Sequence, residues 1–286
     1  MPKLSRVALA LLPCLLFSPA VLASPPLKFA PHEAEYELHL DQNRPNSQVL
    51  RADGKLIFTL SDGCDGWTTD QKMEIKFLYA QGQQATITVR TSSWEANDGS
   101  SYTFSSRTLN NGKETEAFRG KASLSATGGE ASYSLPKGKT VKIAPGVMFP
   151  NQHTIMILQR AMTGDKVPNQ RVFDGTDDKA LSDVSVFLGK PQTMADDKNV
   201  PEKLRKDPLL QGSSWATHLA FFPIPDKTAK QQPEETDEIS TPDYELKLDL
   251  LANSVARGLS IDYGNFTVRG TINSLKSLPE SGCAPH

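Results

Sequence analysis

Residues 149–164, FPNQHTIMILQRAMTG, carry the clearest helical pattern of the chain and decide how the other segments can pack. At about 100° per residue, one arc of the predicted helix is apolar and the opposite arc is polar. Asn151 is the predicted N-cap and Gly164 the predicted stop of a helix over 151–164. The apolar arc consists of Ile155, Ile157, Leu158, Ala161 and Met162, and the polar arc of Gln152, His153, Gln159, Arg160 and Thr163.

A lone amphipathic helix in a chain of strands usually covers the open face or the mouth of a curved sheet, because its apolar arc must be buried. Two roles are open for this helix. It is either a fixed plug of the core, which we favour, or a movable lid over an apolar cavity.

The segments on both sides of the helix alternate between apolar and polar residues, as strands do. The pattern is clearest at 33–40 (EAEYELHL), 85–91 (ATITVRT) and 215–222 (WATHLAFF). Turn-forming residues recur about every 8 to 16 positions. This spacing predicts a mainly β fold in which one long antiparallel sheet curls on itself. Residues 189–208 and 223–242 are polar and are predicted to be loops.

The first 23 residues predict a secretory signal peptide rather than a part of the fold. Lys3 and Arg6 precede an apolar run at 7–17, and Val21-Leu22-Ala23 provides a cleavage position. The apolar run is too short for a stable membrane span. We therefore expect a soluble exported protein that starts at Ser24.

Charge and cysteine content narrow the class of protein further. The 31 basic and 33 acidic residues are mixed along the chain without a basic block, which argues against nucleic acid as a partner. Loss of Cys14 with the signal peptide leaves Cys64 and Cys283, and an even count in an oxidising compartment indicates a disulfide. Such a bond favours a single domain over 24–286, and we expect a monomer.

No catalytic or metal-binding motif stands out in the sequence. The five histidines lack metal-ligand spacing. The acidic pairs Asp177-Asp178, Asp196-Asp197 and Glu234-Glu235 lack the spacing of a calcium loop. We therefore expect a protein that is not an enzyme and that uses no metal and no cofactor.

A curled sheet with one amphipathic helix encloses a concave apolar interior, and such interiors are common ligand sites. The alternative is that side chains fill the interior completely, and residue types alone leave both open. The aromatic strand residues that could line the interior are Phe77, Trp94, Phe104, Phe187, Trp215, Phe221, Phe222 and Phe266.

Three segments together resemble the EipB family of alphaproteobacterial periplasmic proteins. They are SVARGLSIDYGNF at 254–266, Phe149-Pro150 with His153-Thr154 at the helix start, and Val172-Phe173-Asp174-Gly175 after the helix. The resemblance covers essentially the whole chain after the signal peptide. It implies a β-spiral, which is a long antiparallel sheet wound as an incomplete barrel with a helix at its opening. It also implies a disulfide between Cys64 and Cys283 and no catalytic residues.

The same resemblance implies a role in maintaining cell-envelope integrity under stress. Our leading prediction is a non-enzymatic periplasmic protein that acts through an apolar cavity or a partner surface, with a lipid or an envelope protein as partner. The alternative is a lipid or lipoprotein-acyl carrier with helix 151–164 as its gate. A cell-wall hydrolase is a third class, and it requires two carboxylates that face each other at about 5 to 10 Å.

Overall fold

The computed structural model describes residues 27–177, 180–197, 199–224 and 241–282. The predicted signal peptide at 1–23, Cys283 and most of the predicted loop at 223–242 lie outside these residues. Asp178 and the pair Glu234-Glu235 lie outside them as well.

The described residues form fourteen strands, one α-helix and three short 3-10 helices. The 3-10 helices, at Met194–Asp196, Glu202–Leu204 and Pro208–Leu210, lie between β10 and β11. The strands before the helix are β1 (His32–Asn43), β2 (Val49–Asp62), β3 (Gly66–Tyr79), β4 (Gln84–Ala96), β5 (Ser101–Asn110), β6 (Lys113–Ser125), β7 (Gly128–Leu135) and β8 (Thr140–Ile143). Helix α1 (Pro150–Thr163) is followed by β9 (Gln170–Phe173), β10 (Leu181–Gln192), β11 (Ser214–Pro223), β12 (Tyr244–Leu251), β13 (Ala256–Asp262) and β14 (Phe266–Ser277).

All fourteen strands belong to one sheet in the order β8-β7-β6-β5-β4-β3-β2-β1-β14-β13-β12-β11-β10-β9. Neighbouring strands are antiparallel, and most are consecutive in sequence, as the turn spacing predicts. At the β5–β6 turn, Asn111 and Gly112 both have positive φ, 49° and 79°, which is the backbone of a tight two-residue hairpin. The β1–β14 pair joins the first strand to the last.

The two edge strands of the sheet are β8 and β9, and α1 connects them. Met148, which lies between β8 and α1, forms a parallel bridge with Val172 of β9. The Met148 N–H donates to Arg171 O at 3.0 Å, and the Phe173 N–H donates to Met148 O at 3.0 Å. The segment that follows β8 therefore contacts β9 through a single bridge, and the sheet is wound without closing into a barrel. This confirms the predicted wound antiparallel sheet with a helix.

One face of the sheet is covered by α1, and we call it the covered face; the other is the outer face. Leu60, Trp215 and Leu250 on the covered face share a core cluster with Leu158 of α1. Val184 and Leu219 share a second cluster with Ile157. The helix therefore lies across strands from both halves of the chain, because its apolar arc is buried against them.

Residues 193–213 connect β10 to β11 and pack against the sheet rather than extending into solvent. Val200 and Leu210 are 3% and 0% exposed and belong to a core cluster with Leu251 and Ile272. The prediction of a loop over 189–208 is thus wrong at its start, and its polar composition does not reveal that the connection is packed. Strand β10 continues to Gln192, and a few apolar residues among many polar ones suffice to bury the connection.

Candidate functional site

Helix α1 begins at Pro150 with Phe149 as its N-cap residue, and no side chain of the helix itself caps it. The prediction of Asn151 as the N-cap is therefore wrong by two residues. Proline is favoured in the first turn because its missing N–H is not needed there. The predicted stop at Gly164 agrees with the structure, since Gly164 has the left-handed φ of 75° that ends helices.

The capping group comes from the sheet. Glu95 lies on β4, opposite Trp67 and Tyr102, on the covered face. Its Oε2 accepts from the Asn151 N–H at 2.7 Å and its Oε1 from the Gln152 N–H at 2.8 Å. Two of the unpaired N–H groups at the helix start are satisfied in this way, next to the positive end of the helix dipole.

A second contact ties the same turn of α1 to the sheet. The Gln152 side chain donates from Nε2 to Asn97 O at 2.8 Å. Asn97 in turn donates from Nδ2 to Cys64 O at 2.8 Å. The start of α1 is therefore held at the β4–β5 turn, which is itself fixed to the β2–β3 turn.

Glu95 is almost completely buried, with 1% of its surface exposed. Burial raises the pKa of the Glu95 carboxyl to about 7, although the two backbone N–H donors act to lower the pKa. The charge of the group that holds α1 can therefore change near neutral pH. No local sequence pattern marks Glu95, because its partners lie 56 and 57 positions further along the chain.

His153 lies on the first turn of α1 and is 4% exposed. Burial lowers the pKa of its imidazole to about 4, so the ring is neutral at neutral pH. Its Nε2 is buried without a hydrogen-bond partner among the described residues. The prediction that His153 lies on a polar, solvent-facing arc is therefore wrong. The first turn of the helix is buried at His153 as well as along the apolar arc.

The predicted apolar arc of α1 is the surface that meets the sheet. Ile157, Leu158 and Ala161 are buried at 2%, 0% and 8% exposure. Ile155 and Met162 are half-buried and pack against the same cluster as Leu158. In this structure α1 fills the covered face as a plug, and whether it also moves as a lid stays a prediction.

Aromatic residues surround the segment that leads into α1. The Phe149 ring lies 4.9 Å from the ring of Tyr102 and 6.1 Å from that of Phe173, centroid to centroid. Phe104 completes the cluster, 5.6 Å from Phe173. A Cβ on Gly175 would lie 2.6 Å from the Phe104 ring, so only glycine fits there. The segments 149–150 and 172–175, on which the family resemblance rests, thus meet at one place.

Arg257, in segment 254–266 of the family resemblance, is 1% exposed and holds the connection at 193–213. Its Nη2 donates to Leu210 O at 2.8 Å and to Gly212 O at 2.9 Å, and its Nε donates to Leu210 O at 3.1 Å. Its Nη1 donates to Ser214 Oγ at 2.9 Å and lies 3.8 Å from Asp249 Oδ2. Burial raises the pKa of Asp249. The sequence alone did not predict this role of Arg257, because its partners are more than forty positions away in the chain.

The aromatic residues that could line the interior are only partly on the covered face. Phe104 and Trp215 are buried there, at 5% and 7% exposure. Phe187 is 69% exposed, so its assignment to the interior is wrong. Trp94 is adjacent to Glu95 on β4 and therefore points to the outer face.

The disulfide stays a prediction because Cys283 lies outside the described residues. Cys64 lies in the β2–β3 turn with a φ of 68°. The Ser281 N–H donates to Asp62 Oδ2 at 3.3 Å, which brings the C-terminal tail to the turn that carries Cys64. This contact supports the predicted pairing.

No helix in the described ranges is long and apolar enough to cross a membrane. No group of three or more His, Cys, Asp or Glu side chains in the described part of the chain could hold a metal ion.

Comparison with known proteins gives consistent matches over nearly the whole chain. Residues 23–279 match the family described as EipB-like. The cell envelope integrity protein EipB of Brucella abortus (strain 2308) is 27% identical over 262 residues, covering 91% of this chain and 88% of that protein. A crystal structure of a beta-barrel-like protein of the domain of unknown function DUF1849, also from Brucella abortus, is 25% identical. It superposes with a TM-score of 0.75, covering 89% of this chain and 100% of that one.

Proposed function

This chain belongs to the EipB-like family, and from that membership we propose that it is a non-enzymatic protein that supports the integrity of the cell envelope. The similar Brucella abortus protein carries that role in its name. The non-enzymatic part of the proposal is supported by the hydrogen bonds that the buried polar groups make. Both oxygens of Glu95 hold the start of α1, and the Arg257 guanidinium holds the connection at 193–213. These groups are committed to structural hydrogen bonds rather than arranged around a reacting centre.

A gene deletion with complementation tests this role. We expect the deletion strain to become more sensitive to detergent and to a chelating agent that weakens the outer membrane, and a plasmid copy to restore growth. A plasmid copy with Arg257→Met should restore growth less well if the fold is required. Unchanged sensitivity of the deletion strain would contradict the proposal.

The proposal includes the place and form of the protein. We propose that residues 1–23 are removed on export and that residues 24–286 form one domain in the periplasm, as a monomer with a Cys64–Cys283 disulfide. Cell fractionation, light scattering and thiol titration under denaturing conditions test these points in turn. A cytoplasmic location, or two free thiols per purified chain, would contradict them.

We propose as a second candidate that the protein carries an acyl chain, with α1 as its gate. The specific observation is the composition of the surface under α1. Leu60, Trp215 and Leu250 form an apolar floor on the covered face, and the outer ends of the apolar arc, Ile155 and Met162, are only half-buried. Displacement of α1 would uncover this floor, which could then accommodate a hydrocarbon chain.

Native mass spectrometry of the protein purified from periplasm, with lipid extraction, tests the carrier function. We expect a stoichiometric acyl-chain adduct that is lost in Ile155→Asp and retained in Gln159→Asp. Gln159 is exposed and lies one helical turn after Ile155, so the second variant adds the same charge close by but at the surface of α1. A clean apo mass, with no uptake of added lipid by wild type, would contradict the carrier function and leave the envelope role to another surface.

A further inference from the structure

The outer face of β3 to β7 contains a groove of about 560 Å³, on the side of the sheet opposite α1. Cross-strand pairing places its lining in rows across the strands. The first row runs through Thr68, Trp94, Thr103, Lys121 and Ser132. The second row runs through Ser92, Ser105 and Arg119. The groove therefore combines the half-buried Trp94, two cations and small hydroxyl side chains; Phe104 and Tyr133 also line it but are buried.

The charge in this groove is positive and unpaired. Neither Arg119 nor Lys121 has an ion-pair partner among the described side chains. No carboxylate lines the groove. Asp70 continues the second row beyond Ser92 on β3, but it lies outside the lining. Two long cations without a carboxylate between them favour an anionic ligand.

The next row along the same face extends the positive surface. Lys72 on β3, Arg90 on β4 and Arg107 on β5 are cross-strand partners. Arg107 is paired with Glu114 at 3.2 Å, which leaves Lys72 and Arg90 as the further cations of this row. A ligand with several negative charges, rather than a single ion, matches cations that are spread over three rows.

Trp94 selects among anionic ligands. It is half-buried, and its indole ring packs against the β2–β3 turn, where a Cβ on Gly66 would lie 2.7 Å from it. The ring is therefore fixed in position. The face of an aromatic ring is electron-rich and attracts the C–H groups of a pyranose ring, while serine and threonine hydroxyls can pair with sugar hydroxyls. Arg119 and Lys121 add recognition of carboxylates or phosphates.

We propose that this groove binds an anionic glycan, that is, an oligosaccharide whose sugar rings carry carboxylate or phosphate groups. The site is distinct from the surface under α1, because Trp94 and Glu95 point to opposite faces of β4. The proposal is independent of acyl-chain binding. It gives the protein a contact with the polysaccharide part of an envelope, in addition to the envelope role.

Isothermal titration of the purified protein with tetragalacturonic acid tests the proposal, with chitotetraose as the neutral comparison. We expect binding of the anionic tetramer that weakens as salt is raised, and at least tenfold weaker binding of the neutral one. The double variant Arg119→Gln/Lys121→Gln should lose about tenfold in affinity. Trp94→Phe, which keeps an aromatic ring, should lose less affinity than Trp94→Ala.

The matched control is Lys206→Gln/Lys276→Gln, which removes the same charge from exposed positions outside the groove. Its affinity should stay within about twofold of wild type, since long-range charge effects are screened by salt. An equal loss in both double variants would overturn the proposal, because attraction would then depend only on net charge. Absence of binding, equal binding of the neutral tetramer, or binding to vesicles of anionic phospholipid without any to the glycan would each overturn it as well.

Discussion

Helix α1 and the connection at 193–213 both pack against the wound sheet, and each is held by one charged side chain that is 1% exposed. Their chemistry is opposite. At α1, the sheet provides an acceptor, and the two oxygens of Glu95 receive two backbone N–H groups. At 193–213, the sheet provides a donor, and the Arg257 guanidinium makes three hydrogen bonds to backbone carbonyls and one to Ser214 Oγ.

The difference shows which of the two connections can be released. A guanidinium in a protein does not lose its proton, so the contacts of Arg257 persist at every physiological pH. Burial raises the pKa of Glu95 to about 7, so its carboxyl group loses its proton as pH rises through the physiological range. A buried carboxylate is less stable than one exposed to water, so ionisation of Glu95 favours displacement of α1. We therefore expect 193–213 to be a fixed part of the core and α1 to be the connection that opens.

The largest effect should follow removal of Arg257. Arg257→Met leaves the carbonyls of Leu210 and Gly212 buried without donors and should lower the free energy of unfolding by about 3–5 kcal/mol. Chemical denaturation measures the change. Arg269→Met is the matched control, because Arg269 pairs with Asp41 on the surface. Its loss should be about 1 kcal/mol or less. Similar losses in both variants would show that Arg257 contributes no more to stability than a surface arginine.

The next effect compares one fully buried leucine in each connection. Leu158 in α1 and Leu210 in 193–213 are both 0% exposed. Leu210→Ala should lower the free energy of unfolding by about 2–5 kcal/mol, which is the usual range for a cavity of this size. Leu158→Ala should reduce global stability less, if α1 opens before the sheet unfolds. A loss as large for Leu158→Ala as for Leu210→Ala would indicate that both connections unfold with the sheet.

The predicted disulfide involves Cys64, whose turn is linked to the start of α1. Asn97 donates to Cys64 O, and Gln152 of α1 donates to Asn97 O. In oxidised protein, Cys64→Ser should lower the free energy of unfolding by about 2–4 kcal/mol. Reductant should lower the melting temperature of wild type towards that of the variant and leave the variant unchanged. Equal melting of wild type with and without reductant, in protein with verified oxidised cysteines, would contradict the proposed bond.

The smallest effect concerns pH and separates the two buried titratable groups of α1. The folded-state pKa of Glu95, about 7, lies above its ordinary value of 4.5. Its contribution to stability is therefore complete below pH 4.5 and is lost as pH rises through about 7. The folded-state pKa of His153, about 4, lies below 6.5, so its contribution is present above pH 6.5 and is lost as pH falls through about 4.

These two contributions oppose each other between pH 4.5 and 6.5. Wild-type stability should therefore change little from these groups across that window. Glu95→Gln should leave the His153 contribution alone, so the variant should lose stability more steeply on acidification. His153→Asn should show the reverse slope. Thermal melts at half-unit pH steps measure the profiles, and parallel profiles for both variants would show that neither group titrates as the structure implies.

The features predicted correctly from the sequence are those with local patterns. The alternation of the strands, the stop at Gly164 and the apolar arc of α1 each depend on residues within a few positions of one another. Contacts between distant segments were missed, because they leave no periodic signal. Glu95 caps a helix that begins more than fifty positions later, and Arg257 binds carbonyls of residues that precede it by more than forty. The burial of His153 likewise depends on the sheet that encloses the helix start.

Hydrogen exchange of the α1 amides, measured by mass spectrometry in wild type and Glu95→Gln, tests the central claim that α1 is the releasable connection. We expect peptides covering 153–163 to exchange faster than those of β11 to β13, through an opening that leaves the sheet intact. Glu95→Gln should accelerate exchange in α1 by about tenfold, the equivalent of one weakened hydrogen bond, and leave 199–213 unchanged. Exchange of α1 at the rate of the central strands, in both proteins, would contradict the claim and make the helix a fixed part of the core.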